Sequence, residues 1–144
     1  MKTRYSSLVA IKKNEMQKQE RVLQEANATL TKAKKELENS FLQLQKITQP
    51  LQGNISEFLS TRHLLDTQRK LIKHNEEWVA YAQKEVYMAQ EALKKAMVEY
   101  EKFKYLELQE IETIVAKAKR EESKSLDEIA LMTFRQKQTQ VATL

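Results

Sequence analysis

The side chains that most often hold metals or move protons are too sparse or too scattered in this sequence to form a reaction centre. His63 and His74 lie eleven residues apart, about 16 Å along a helix, too far to share one ion. There is no Cys, which removes thiol nucleophiles, Cys-ligated zinc and disulfides. A single Gly cannot build a Gly-rich phosphate loop. Asp and Glu number 20, but they alternate with Lys along good helix formers, where they face water instead of a desolvated cleft that would tune their acidity. Neither an enzyme, a metal centre nor a cofactor site is expected. Lys and Arg number 25, for a formal charge of +5. The doublets Lys12-Lys13 and Lys34-Lys35 are interrupted by Glu, whereas a nucleic-acid face needs clustered bases with interleaved aromatics. No nucleic-acid partner is expected. Trp78 adjoins Val79, a member of an apolar stripe, and fits two roles, a flank of the core or a partner contact.

The elements that position these residues are set by the breakers. Pro50 and Gly53 are the only Pro and Gly, so the stretch 48–54 reads as the one turn. Pro50 pushes Gln49 out of helical geometry, Gly53 can take left-handed geometry, and Asn54 or Ser56 caps the second helix. Both flanking segments are rich in Glu, Lys, Gln, Ala and Leu. Before the turn, Val9, Met16, Leu23, Leu30, Leu37, Leu44 and Leu51 recur every seven residues; after it, Phe58, Leu65, Ile72, Val79, Val86, Leu93 and Tyr100 do the same. Seven-residue spacing is the mark of a coiled-coil seam. Companion positions are small: Ala26 and Ala33 in the first segment, Ala82, Ala89 and Ala96 in the second, with Ile47 nearest the turn.

The predicted fold is all-α: one coiled-coil domain over 1–144, with helix 3–47, turn 48–54 and helix 55–138, the two helices antiparallel. Folding at the turn matches stripe to stripe, from Leu51 with Phe58, through Leu37 with Ile72, to Val9 with Tyr100. Residue 2 then lies opposite residue 107, and 108–144 overhang without a partner helix. The paired part would be on the order of 70 Å long and the second helix would exceed about 110 Å. The longest apolar run near the N-terminus is Leu8–Ile11, too short for a signal-peptide core, and no stretch suits a bilayer span. A cytoplasmic protein is expected, with no direct insertion into a bilayer.

Two surfaces are more apolar than the seam requires. Near the turn, Phe41, Leu42, Leu59, Leu64 and Leu71 fall off the stripe; they either widen the core or form a docking face. In the overhang, Leu106, Leu108, Ile111, Ile114 and Val115 form one patch, and Leu126, Ile129, Leu131, Met132 and Phe134 another, with Lys117, Lys119, Arg120 and Lys124 between them. An unpartnered helix carrying such residues is expected to meet another protein.

Three stretches resemble the FliJ family of bacterial flagellar export proteins, relatives of the stalk proteins of injectisomes. They are the opening Tyr5-Ser-Ser-Leu8-Val9 ahead of a heptad helix, the charged run from Tyr100 to Glu107, and Leu126-Asp127-Glu128 followed by Ile129-Ala130. The resemblance covers essentially the whole chain. It implies a non-enzymatic antiparallel coiled coil, similar to a rotary-ATPase shaft, that binds the hexameric flagellar export ATPase and promotes its assembly. It further implies engagement of the cytoplasmic domain of the export gate membrane protein, handling of export chaperones, and peripheral association with the cytoplasmic side of the inner membrane. The open end of the hairpin would enter the ring and the turn end would reach the gate. On that reading Leu108, Ile111, Ile114, Val115, Ile129 and Phe134 are the candidate ATPase contacts, and Phe41, Leu64 and Leu71 the candidate gate contacts. The other readings are a generic coiled-coil scaffold or a helical-hairpin chaperone with no ATPase partner.

Overall fold

The structure is a computed structural model that describes residues 2–142. Met1, Thr143 and Leu144, which the predicted domain and overhang include, lie outside the described residues. The fold is all-α. Helix α1 spans Ser6–Lys46 and helix α2 spans Ile55–Ala142, and no strand occurs among the described residues. At the start of α1, the Ser6 Oγ accepts the Thr3 N–H at 2.8 Å and the Thr3 Oγ1 accepts the Tyr5 N–H at 3.2 Å, tying the leading residues to the helix. Asn54 caps α2, its Oδ1 accepting the Glu57 N–H at 3.0 Å, as an N-cap Asn should. Gly53 does not take the left-handed geometry expected of it, since no glycine has a positive φ. A Cβ there would meet the far end of the exposed Glu57 side chain, which folds back from the first turn of α2 and is free to swing away.

The described residues group into two compact units. The first, Lys13–Val98, is a closed helical hairpin holding the turn. Its buried positions are Ala33, Ser40, Ile72, Asn75, Ala82, Val86, Ala89 and Ala96. Leu23, Leu30, Leu37 and Leu44 are half-buried beside them. Ala33 and Ala82 are 0% and 1% exposed, so the small companion column, not the leucine stripe, lies deepest. Small residues there let two backbones approach closely while the larger side chains close the edges.

The contacts across this hairpin correct the expected register. Asn75 donates to Ser40 and to the Glu36 carbonyl, and Gln68 donates to the Ser40 carbonyl at 2.8 Å. Residue numbers rise along one helix as they fall along the other, so the pair is antiparallel. Asn75 is level with the turn of α1 that contains Leu37, a position the like-to-like match assigns to Ile72. Extended by heptads, the same register sets Leu30 against Ala82 and Leu23 against Ala89, large against small, which fills an antiparallel seam better than leucine against valine. The expected Leu51–Phe58 layer is absent: Leu51 is 100% exposed and Phe58 is exposed. Helix α1 has ended at Lys46, and residues 48 and 50 of the connection border a shallow groove with Ser56, Ser60 and Thr61 of α2. The connection therefore runs beside the first turns of α2, where no helix stands opposite Phe58.

The second unit comprises the described residues up to Lys12 and those from Glu99 onward. Here charged contacts accompany the half-buried Val9, Tyr100, Phe103 and Leu106. Arg4 Nε is 3.3 Å from a Glu110 carboxylate oxygen, and Lys12 Nζ is 3.9 Å from Glu99. The Lys12 ammonium also lies 5.7 Å from the centre of the Phe103 ring, a cation–π distance. Glu110 is three-quarters buried. Its contact with Arg4 is an ion pair and not a hydrogen bond.

Candidate functional site

The candidate interaction surface is the part of α2 beyond this ion-paired stretch. Ile111 is half-buried, and every residue from Glu112 to Val141 is exposed. Partnering within the unit thus reaches Glu110 through Arg4, three residues beyond the expected limit at 107.

The sequence explains why pairing stops. The two columns of α2 that face α1 turn mostly charged at Glu107 and Glu110 and continue through Lys117, Glu121, Lys124 and Glu128, with Ile114 and Leu131 the apolar exceptions. The apolar residues move one position on, to Leu108, Ile111, Val115 and Ala118, and reappear as Ile129 and Met132. One residue on a helix is about 100° of rotation. The tail therefore carries a new apolar stripe, turned away from the face that α2 presents to α1 elsewhere. Of the candidate ATPase contacts, Leu108, Ile114, Val115, Ile129 and Phe134 are exposed, and Ile111 is half-covered. Between the two apolar runs, Lys117, Arg120 and Lys124 border a shallow surface with Thr113, Ala116 and Glu121.

The three candidate gate residues are also exposed, at 43% for Phe41, 56% for Leu64 and 42% for Leu71, so they do not widen the core. They do not form one surface. Phe41 follows the seam residue Ser40, whereas Leu64 and Leu71 precede the seam residues Leu65 and Ile72. In an antiparallel pair, a residue just after the seam of one helix and a residue just before the seam of the other lie on opposite flanks. Phe41 sits in a shallow apolar groove with Lys34, Leu37, Glu38 and Leu42. Leu64 and Leu71 share the other flank with the half-buried Trp78, one heptad further on.

His63 and His74 are exposed, and no three His, Asp or Glu side chains among the described residues could hold a metal ion together. The surface depressions are open grooves along one helix or beside the turn. No helix among the described residues is long and apolar enough to cross a membrane. Sequence reasoning missed Ser40, Gln68 and Asn75. The signal was available: Ser40 stands between Ala33 and Ile47 in its heptad column, and Gln68 and Asn75 precede Ala82, Ala89 and Ala96 in theirs.

Helices paired antiparallel within each unit, with an exposed stretch of α2 beyond Glu110, define a class of helical, coiled-coil proteins. The family model for the flagellar FliJ protein matches residues 1–139, and the chain belongs to the FliJ family. It is accordingly a component of the flagellar protein export apparatus, within a non-catalytic family. No curated protein and no solved structure matches the chain.

Proposed function

We propose that this chain is the coiled-coil stalk of the export apparatus, binding the hexameric export ATPase through α2 beyond Leu108 and promoting its assembly. The observation that carries the proposal is the rotated apolar stripe on a fully exposed helix, where α1 no longer covers α2. Ile129 and Phe134 are both 58% exposed, a solubility cost that a partner surface explains. The basic residues Lys117, Arg120 and Lys124 between the two apolar runs suit an acidic rim on that partner.

Near the turn, Phe41 on one flank and Leu64 with Leu71 on the other are the proposed contacts for the cytoplasmic domain of the export gate, which would grip the hairpin from both sides. Export chaperones are the third proposed class of partner. On this reading the protein works in the cytoplasm, held peripherally at the inner membrane by the apparatus and not by its own insertion.

The test is ATPase stimulation and ring assembly by the full chain carrying Leu108→Ser, Val115→Ser, Ile129→Ser and Phe134→Ser together. Stimulation should be lost, because contact residues of this kind contribute on the order of 1–2 kcal/mol each, while helix content by circular dichroism stays nearly unchanged. Full stimulation by this variant would move the ATPase contact elsewhere. Absence of any ATPase binding by the unsubstituted chain would favour a scaffold or a hairpin chaperone.

A further inference from the structure

The hairpin Lys13–Val98 contains one polar layer in a seam that otherwise repeats itself. Ser40 is 3% and Asn75 7% exposed. The Ser40 hydroxyl donates to the Glu36 carbonyl at 2.8 Å and accepts from the Asn75 amide. That amide also reaches the Glu36 carbonyl at 3.4 Å. One heptad nearer the connection, the Gln68 amide donates to the Ser40 carbonyl at 2.8 Å and to the Gln43 side chain at 3.4 Å. All of these interhelical hydrogen bonds converge on residues 36–43 of α1.

Much of the rest of the seam discriminates poorly between registers. Leu23, Leu30, Leu37 and Leu44 are identical at heptad spacing, and so are Ala26 and Ala33 on one side and Ala82, Ala89 and Ala96 on the other. A slip of one heptad exchanges like for like at these positions. The connection does not prevent it. Its residues 48 and 50 lie beside Ser60 and Thr61 of α2, so it runs back along that helix and has length to spare for a slip that shortens the path. At Asn75 the exchange removes a buried hydrogen-bond partner: slipped by seven residues, its amide would meet Ala33 instead of Ser40. A buried amide without its hydroxyl partner is costly, and a single polar position is an attested way for a coiled coil to define register at some expense of stability.

We propose that the Ser40–Asn75 pair, supported by Gln68, is the register lock of the hairpin: it selects one alignment of α1 and α2 among heptad-related alternatives. The lock is a conformational device separate from partner binding, and it fixes which residues of the two flanks near the turn stand level with each other.

The chain has no Cys, so two introduced cysteines report register cleanly. Ala28→Cys and Lys70→Cys are both at exposed positions. Spin labels attached there in the full chain should give one distance by pulsed electron paramagnetic resonance. Adding Ser40→Ala with Asn75→Leu should raise the melting temperature and split that distance into two or more populations, since a heptad slip displaces the helices by about 10 Å. A single unshifted distance in this variant overturns the proposal, whatever happens to the melting temperature. A transposed lock, Ala33→Ser with Ser40→Ala, leaves the composition unchanged and should move the distance to a new single value, shorter by up to about 10 Å. If the apolar variant fails to fold, the transposed one decides: the shift supports the lock, and an unmoved distance overturns it. Neither readout depends on ATPase or gate binding, so failure here and failure of the stalk reading are distinguishable.

Discussion

The two compact units use the same heptad grammar for opposite ends. In Lys13–Val98 the helices meet through alanines that are almost wholly buried, with one polar layer between them. In the unit formed by the residues up to Lys12 and from Glu99 onward, the columns facing α1 pass from Tyr100 and Phe103 to Glu107 and Glu110, and the contacts include Arg4–Glu110, Lys12–Glu99 and Lys12 over Phe103. Apolar contact between small side chains is short-ranged and indifferent to salt. Partly exposed ion pairs are weak and screened. The first unit is therefore built to hold its shape. The second is built to pair lightly and to leave its apolar side chains on a different face of α2, available to a partner.

The largest expected effect lies in the first unit. Ile72 is buried and sits at the heart of the seam, so Ile72→Ala should cost on the order of 2–4 kcal/mol, read by chemical denaturation of the full chain. A loss under about 0.5 kcal/mol, the range of surface substitutions, would mean that the seam is not where the stability resides.

Next come the flanks near the turn. Phe41→Ala and the pair Leu64→Ala with Leu71→Ala should each weaken binding to the cytoplasmic gate domain, by about 1–2 kcal/mol per contact residue, with little change in melting temperature because these side chains are exposed. Titration calorimetry against the isolated gate domain separates the flanks. If only one variant loses affinity, the gate contacts one side of the hairpin alone. If both lose helix content, the residues are structural after all.

What could be read from the sequence, and what could not, divides along the same line. Leu30 and Val79, each in an unbroken heptad series, announced two paired helices, and Pro50 with Gly53 placed the turn between them. Periodicity says which face is buried but not how two periodic faces align. The register therefore came out about one turn away, with Leu37 matched to Ile72 where the helices bring it level with Asn75. Leu51 fitted the stripe yet is fully exposed, because a pattern does not show where the opposing helix ends. The exposure of Ile129 and Phe134 was foreseeable from the excess length of the second segment. The reach of pairing to Glu110 was not, since it depends on an ion pair with Arg4. Ser40 and Asn75 were legible only as interruptions; their meaning needed the distance between the helices.

A smaller effect should separate the units by salt. Amide protection in residues 6–12 should fall as sodium chloride rises from about 0.05 M to about 0.5 M, since the screening length shrinks several-fold over that range. Protection in residues 20–40 should hold. Equal loss in both would deny that charge supports one of them more than the other. The smallest effect is that of Arg4→Ala. The Arg4 side chain is 75% exposed, so its pair with Glu110 should contribute no more than about 0.5 kcal/mol, detectable as faster exchange near residue 6 and not as a shift in global unfolding.

The division of labour is tested most directly by hydrogen–deuterium exchange on the full chain, alone and with the hexameric export ATPase. The expected result is new protection confined to residues 108–141, with exchange in residues 13–98 unaltered. Protection that appears in 13–98 while 108–141 exchanges as in the free chain would contradict it.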